Sequence, residues 1–190
     1  TVMVVSFVNA GLLTLRRSFS LIMGANIGTT VTAWIIVILG FGMNFNISVI
    51  ILPLIALSLP LLFSGKSKHR SWAEFIFGFA LLFLGLQFLK TSIPVMDEHS
   101  LFVQQFSQLI HNGFFSVLLL VGIGILLTIA FQSSSAVIAL TFVIAVDGWI
   151  PFEMAAAMVL GENIGTTITP NIAALVANRT AKRSAFFHFF

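Results

Sequence analysis

Three apolar stretches in this chain are long enough to cross a lipid bilayer, which takes about 20 apolar residues in a helix. They are residues 47–63, 72–93 and 113–131. Only 8% of the 190 residues are charged, against about 25% in an average soluble domain. The chain therefore has too few polar side chains to cover a water-facing surface. We predict an all-α polytopic membrane protein, which excludes a soluble enzyme and, despite the net charge of +3, a nucleic-acid-binding protein.

Other apolar stretches are too short to span a bilayer alone or are interrupted by polar residues. They are residues 2–15, 19–23, 31–39, 136–146, 152–160 and 168–177. Short apolar pairs broken by Gly, Asn, Ser and Thr are typical of re-entrant or discontinuous helices. We therefore predict that the helices break at these polar residues.

A seven-residue motif occurs at two of the predicted breaks. Residues 24–30 read Gly-Ala-Asn-Ile-Gly-Thr-Thr, and residues 161–167 differ from them only in having Glu at the second position. The offset of 137 also aligns Gly11 with Gly148, each in a predicted turn. The sequence thus predicts one structural unit used twice.

Counting membrane crossings between the two motifs predicts inverted structural repeats. The loops assigned to one side hold eight of the nine Lys and Arg residues: Arg16, Arg17, Lys66, Lys68, Arg70, Arg179, Lys182 and Arg183. Because basic residues accumulate in cytoplasmic loops, we expect loops 64–71 and 178–184 to be cytoplasmic and residues 91–112 to face outside.

The chain divides into three parts in this scheme. Residues 1–46 form the C-terminal part of the first inverted repeat, 47–112 the connecting helices and loops, and 113–190 the second repeat. Both ends lie in apolar runs, so we expect the chain to be a fragment, with the serine motif of the first repeat preceding Thr1.

A run of four polar residues, Gln132, Ser133, Ser134 and Ser135, separates two apolar stretches. Four hydrogen-bonding side chains are costly in lipid unless they line a cavity or pair across helices. We predict that they line a binding cavity. The alternative is hydrogen bonding between helices.

The repeated motif is predicted to unwind the chain. Its glycines, among them Gly28 and Gly165, allow the backbone to approach a ligand. Asn26 and Asn163 then cap a following half-helix, whose positive end attracts an anion while neutral oxygens nearby coordinate sodium. The threonines of its first turn are Thr29, Thr30, Thr166 and Thr167. The alternative is a packing motif in which the glycines allow close helix approach.

Glu162 is the one difference between the two copies, since the first copy has Ala25 in its place. An acid within a membrane segment is a functional candidate. Because a carboxylate repels phosphate and attracts a cation, we predict that Glu162 acts on the sodium side. The alternative is a carboxylate stabilised at a helix N-terminus.

The motif Gln-Ser-Ser-Ser-Ala at residues 132–136, together with the doubled motif, resembles the paired signature of the sodium–phosphate cotransporter family. The resemblance implies a substrate site between two re-entrant hairpins and uptake of inorganic phosphate with Na⁺ as coupling ion. It implies a multi-pass protein of the cytoplasmic membrane, in contact with the lipid bilayer, with neither enzymatic activity nor a cofactor. The implied phosphate ligands are Gln132, Ser133, Ser134, Ser135, Asn26, Asn163, Gly28 and Gly165. The implied sodium ligands are Thr29, Thr30, Thr166, Thr167, Gln132 and Glu162.

Several alternatives remain open or are disfavoured. A site of neutral donors fits sulfate or a dicarboxylate equally well, and an anion channel would use the same polar breaks. A serine hydrolase would need a base near residues 133–135, but the four histidines lie outside the predicted spans or at the terminus. A metal-dependent enzyme is disfavoured as well, because the sequence contains no cluster of His, Asp and Glu residues that could bind a metal ion. The sequence leaves open whether copies form a homo-oligomer.

Overall fold

The structure is a computed structural model that describes residues 1–40, 48–92 and 113–189, and this part of the chain is helical throughout, without strands. Its α-helices are α1 (Val2–Asn9), α2 (Leu15–Gly40), α3 (Ser48–Leu62), α4 (Ser67–Ser92), α5 (Phe114–Phe131), α6 (Ser134–Val146), α7 (Phe152–Ala173) and α8 (Arg179–Phe186). Short 3-10 helices occupy Ala174–Val176 and Phe187–Phe189. The all-α prediction is confirmed.

Three of the described helices, α2, α4 and α5, are long and apolar enough to cross a membrane. The predicted spans 72–93 and 113–131 coincide with α4 and α5 as far as the described residues reach. Within the described residues, the predicted span 47–63 forms the 15-residue α3, which contains Pro53 and Pro60. At 1.5 Å per residue α3 covers roughly 22 Å, less than the hydrocarbon core of about 30 Å. Most of the predicted outer loop 91–112 lies outside the described residues.

The predicted breaks at the repeated motif are wrong. Residues 24–30 lie inside α2 and residues 161–167 inside α7, so neither Asn26 nor Asn163 caps a helix. The hydroxyl group of Thr29 and the side-chain amide of Asn163 each donate to the carbonyl oxygen four residues earlier, at 3.2 Å. Such bonds satisfy a polar side chain while the helical backbone bonds persist. Each pair of short apolar segments is therefore joined into one helix.

The repeat at an offset of 137 is present in the local backbone. Helices α2 and α7 begin 137 residues apart, at Leu15 and Phe152. Gly11 and Gly148 have φ angles of +73° and +80°, a region that favours glycine. Three backbone hydrogen bonds recur: Ala10 to Ser6, Gly11 to Val8 and Leu12 to Phe7, then Asp147 to Val143, Gly148 to Ala145 and Trp149 to Ile144. The unit predicted from sequence is therefore used twice, while its inversion and re-entry stay predictions.

The described residues belong to two compact units. One comprises residues 1–34 with the described part of 96–190, and the other comprises the described part of 35–95. In the second unit α3 packs on α4, and the Lys90 ammonium donates to the carbonyl oxygen of Gly40. The first unit contains all the residues that the sequence predicts to bind ligands.

Helices α5 and α7 of the first unit pack with their backbones in contact. A Cβ atom added to Gly124 would collide with the carbonyl oxygen of Met158, and one added to Gly161 with that of Val121. Gly165 faces α5 in the same way. Small residues permit this approach between membrane helices. The glycines of the second motif therefore have the packing role that was the alternative prediction.

The backbone contact predicts the effect of adding one methyl group to α5. Gly124→Ala should lower the free energy of unfolding by about 1–3 kcal/mol, because the new Cβ has no space. Gly122→Ala is the matched control on the same helix, since its Cβ would meet no described atom within 4 Å. Thermal unfolding of both variants in detergent measures the difference. Equal melting temperatures would contradict the backbone contact.

Candidate functional site

The chain breaks between α5 and α6, at Gln132 and Ser133. Gln132 has φ 53° and ψ 25°, a left-handed conformation with which α5 ends. Ser133 is extended, and its side-chain oxygen accepts a hydrogen bond from the backbone N–H of Ala136 at 3.3 Å. The break predicted at the serine motif is confirmed, and Ser133 takes the capping role predicted for the motif asparagines.

The N-terminal end of α6 has unused hydrogen-bond donors. The backbone N–H groups of Ser134 and Ser135 lie in the first turn, where no helical carbonyl is available to them. Within the described residues, the hydroxyl groups of these two serines make no hydrogen bond either. The positive end of a helix dipole, predicted for the repeated motif, thus lies at the serine motif.

A cavity of about 270 Å³ lies at this end of α6. Both copies of the repeat contribute to its wall, and among the described residues no charged side chain lines it. The lining residues are Thr1, Val2, Ala25, Thr29, Thr128, Gln132, Ser133, Ser134, Ser135, Thr166, Thr169 and Pro170.

The cavity brings together part of the predicted site. The predicted residues that line it are Gln132, Ser133, Ser134, Ser135, Thr29 and Thr166. The predicted residues outside its wall are Asn26, Asn163, Gly28, Gly165, Thr30, Thr167 and Glu162. Ligand binding by either set stays a prediction.

The threonines of the cavity present acceptor oxygens. Thr29, Thr166 and Thr169 each donate their hydroxyl proton to the carbonyl oxygen four residues earlier in their own helix, at 3.2, 2.9 and 3.2 Å. Thr29 and Thr166 are equivalent positions of the repeat. A hydroxyl group whose proton is already donated offers only its lone pairs to a ligand, and this suits a cation.

Pro170 adds a further acceptor to the same wall. Proline has no backbone N–H, so it cannot donate to the carbonyl oxygen of Thr166 four residues earlier in α7. Both residues line the cavity. The carbonyl oxygen of Thr166, a residue of the cavity wall, therefore lacks its usual helical donor.

Sequence reasoning missed two cavity threonines, Thr128 and Thr169. The hydroxyl group of Thr128 is buried and has no hydrogen-bond partner among the described residues. Helical spacing was the available signal, since Thr128 precedes Gln132 by four residues and Thr169 follows Thr166 by three.

Glu162 is buried in the interior of the first unit, with 1% of its surface exposed. The hydroxyl group of Thr141 donates to its Oε1 at 2.5 Å, while Oε2 has no partner among the described residues. Glu162 lies in the middle of α7, which begins at Phe152, so the alternative of a carboxylate at a helix N-terminus is wrong.

Asn26 is paired with a residue from the far end of the chain. The imidazole Nε2 of His188 lies 2.7 Å from the side-chain oxygen of Asn26. His188 is buried, although the sequence placed it only at the terminus. No sequence signal predicted this pair, because 162 residues separate its members.

Known protein families and curated relatives similar to this chain agree with one another. The profile described as "Na+/Pi-cotransporter" matches residues 1–91 and 98–189. "Uncharacterized protein YqeW" of Bacillus subtilis strain 168 is 28% identical over 197 residues, covering 98% of this chain and 57% of that protein. "Putative inorganic phosphate export protein YjbB" is 26% identical over 187 residues in both Escherichia coli K12 and Salmonella typhimurium LT2, covering 97% of this chain and 32% of each protein. The chain thus spans about half the length of the first relative and a third of the others. No solved structure is significantly similar to it.

Proposed function

The chain belongs to the Na+/Pi-cotransporter family of membrane transporters, and on this premise we propose that the protein takes up inorganic phosphate across the cytoplasmic membrane together with sodium ions. The observation that carries the proposal is the cavity at the N-terminal end of α6, which both copies of the repeat line and to which the described residues contribute no charged side chain. It combines donors suited to an anion with acceptors suited to a cation.

Phosphate binding is assigned to the α6 end of the cavity. The free N–H groups and hydroxyl groups of Ser134 and Ser135 supply donors, and the amide of Gln132 adds another. Helix N-termini bind anions in this way because the N–H groups and the dipole both point at the ligand. A transporter must also release its substrate, and neutral donors hold phosphate less strongly than Arg or Lys would.

Sodium binding is assigned to the threonine side of the cavity. The hydroxyl oxygens of Thr29 and Thr166 and the carbonyl oxygen of Thr166 are the available acceptors. Sodium is a hard cation that binds neutral oxygens, and transporters place such oxygens beside their anion sites.

The position of the two repeated turns supports inverted repeats. Asn9 lies at the end of α1, and its side-chain oxygen accepts a hydrogen bond from the backbone N–H of Asn178 at 2.8 Å. Its backbone carbonyl oxygen accepts another from the side-chain amide of Asn178 at 3.0 Å. This links the turn before α2 to the C-terminal end of α7. The equivalent turn before α7 lies at the opposite end of that 22-residue helix, roughly 33 Å away.

Export is a second candidate, because the printed names of two relatives describe phosphate export. Proteoliposomes with an imposed sodium gradient separate the candidates. Uptake predicts that an inward sodium gradient accumulates labelled phosphate above its external concentration, which a channel cannot do. Export predicts loss of preloaded phosphate that the same gradient does not reverse. Sulfate and succinate as competitors test the substrate.

Ser134→Ala should reduce phosphate uptake by roughly 5-fold to 150-fold, because leaving a hydrogen-bonding group of the bound phosphate without its partner costs about 1–3 kcal/mol. The hydroxyl group of Ser134 is free for a ligand, whereas that of Ser133 already caps α6. Thr91→Ala is the control, since Thr91 is exposed and bonded to its own helix. The same assay measures both variants. Uptake unchanged by Ser134→Ala would remove that serine from the phosphate site.

Cysteine labelling tests the inversion of the repeats, since the chain has no native cysteine. Ala10 and Asp147 are equivalent, exposed positions in the two repeated turns. Asp147→Cys should react with an impermeant thiol reagent in intact cells, while Ala10→Cys should react only after permeabilisation, because the basic side is cytoplasmic. Equal labelling of the two variants in intact cells would contradict inverted repeats.

Glu162→Gln should raise the sodium concentration for half-maximal uptake and leave phosphate affinity at saturating sodium unchanged. The reason is that an ionised Glu162 carboxylate would attract a cation and repel phosphate, so its loss would weaken only cation binding. Glu153→Gln, an exposed change on the same helix, is the control. If uptake by Glu162→Gln instead loses its pH dependence, the residue binds a proton. Sodium and pH profiles identical to those of the parent would exclude Glu162 from the mechanism.

A further inference from the structure

A second cavity, of about 590 Å³, lies where the start of α2 meets α8, and it shares no residue with the first cavity. Its wall combines apolar and cationic side chains. The apolar residues are Phe19, Leu175, Phe186 and Phe187, and the cationic residues are Lys182 and Arg183.

Specific contacts hold this cavity together. The hydroxyl group of Ser184 donates to that of the buried Ser18 at 2.8 Å, which joins α8 to α2. The rings of Phe19 and Phe187 stack with their centroids 3.8 Å apart. The Asn178 side chain caps α8. These contacts hold α8 and the 3-10 helix after it against α2, so the wall of the cavity is formed by packed helices.

The basic side chains around this cavity lack acidic partners within the described residues. Lys182 and Arg183 line the cavity, and Arg16, Arg17 and Arg179 lie within three residues of wall residues along the chain. The described acidic residues of the same unit are Asp147, Glu153 and Glu162. Glu162 is buried, and 20 residues of α7 place Glu153 roughly 30 Å from the end of that helix. The described part of this unit thus supplies no counter-charge to the cationic end of the cavity.

The cavity lies at the depth where lipid headgroups meet acyl chains. Helix α2, which is long and apolar enough to cross a membrane, begins at Leu15 with Arg16 and Arg17, and Phe19 of the cavity wall lies about one turn further along the same helix. Leu175 and Phe186 are exposed, so the apolar wall is open to the surroundings of the helices.

We propose that this cavity binds one anionic phospholipid, with its phosphate group on Lys182 and Arg183 and an acyl chain along Leu175 and Phe186. Basic pockets at the cytoplasmic ends of membrane helices bind anionic headgroups by charge attraction. Free phosphate would use the two cations but not the apolar wall, and a zwitterionic lipid would use the wall with a weaker charge attraction. The proposal does not depend on what the first cavity transports.

The test measures lipid binding to the purified protein in detergent by native mass spectrometry. Phosphatidylglycerol should remain bound, whereas phosphatidylcholine with the same chains should not. The double variant Lys182→Gln, Arg183→Gln should bind phosphatidylglycerol about 30-fold more weakly, because it removes two positive charges that each attract the anionic headgroup. Lys66→Gln, Lys68→Gln is the matched control, because it removes the same charge from the other unit and should bind normally.

The apolar half of the site has its own matched pair. Leu175→Ser should weaken phosphatidylglycerol binding, while Val176→Ser, an exposed neighbour outside the cavity wall, should not. Circular dichroism verifies folding, and the exposure of Lys182, Arg183 and Leu175 makes unfolding unexpected. Equal binding of the two lipids, unchanged binding by the double variant, or displacement of the lipid by millimolar inorganic phosphate would overturn the proposal.

Discussion

The backbone contact between α5 and α7 positions the rest of the first unit. It requires glycine at Gly124 and Gly161, because a single methyl group at either position would meet a carbonyl oxygen. Gly165 of α7 lies against Thr128 of α5, one turn before the chain leaves α5 at Gln132 and turns into α6. Helix α7 presents its glycines to α5 and Thr166 to the cavity. One helix therefore both supports the site and contributes to it.

Local chemistry explains what the sequence could predict. Long apolar runs predicted the helical class, and a motif that recurs at an offset of 137 with one difference predicted a unit that the backbone does repeat. The serine run predicted a break because Ser133 can cap a helix with its own side chain. Each of these features is decided by residues close together in the chain, which is why no tertiary information was needed.

The behaviour of the repeated motif could not be predicted in the same way. Asn and Thr can cap a helix or bond back to the preceding turn, and glycine can unwind a helix or let another helix approach. Asn163 and Thr29 bond back to the preceding turn, and the helix continues through each motif. The choice depends on neighbours such as Val121, which lies 40 residues before Gly161. The pairs of Glu162 with Thr141 and of Asn26 with His188 were unpredictable for the same reason.

Pro170 has a consequence for the energetics of the first cavity. The helical hydrogen bond to the carbonyl oxygen of Thr166 is absent from the moment that α7 forms, because Pro170 has no proton to donate. A cation that approaches this oxygen does not have to break a bond of the helix. For the proposed sodium site this acceptor is preorganised, so the cost of leaving it without a helical donor falls on folding and not on the binding of the ion.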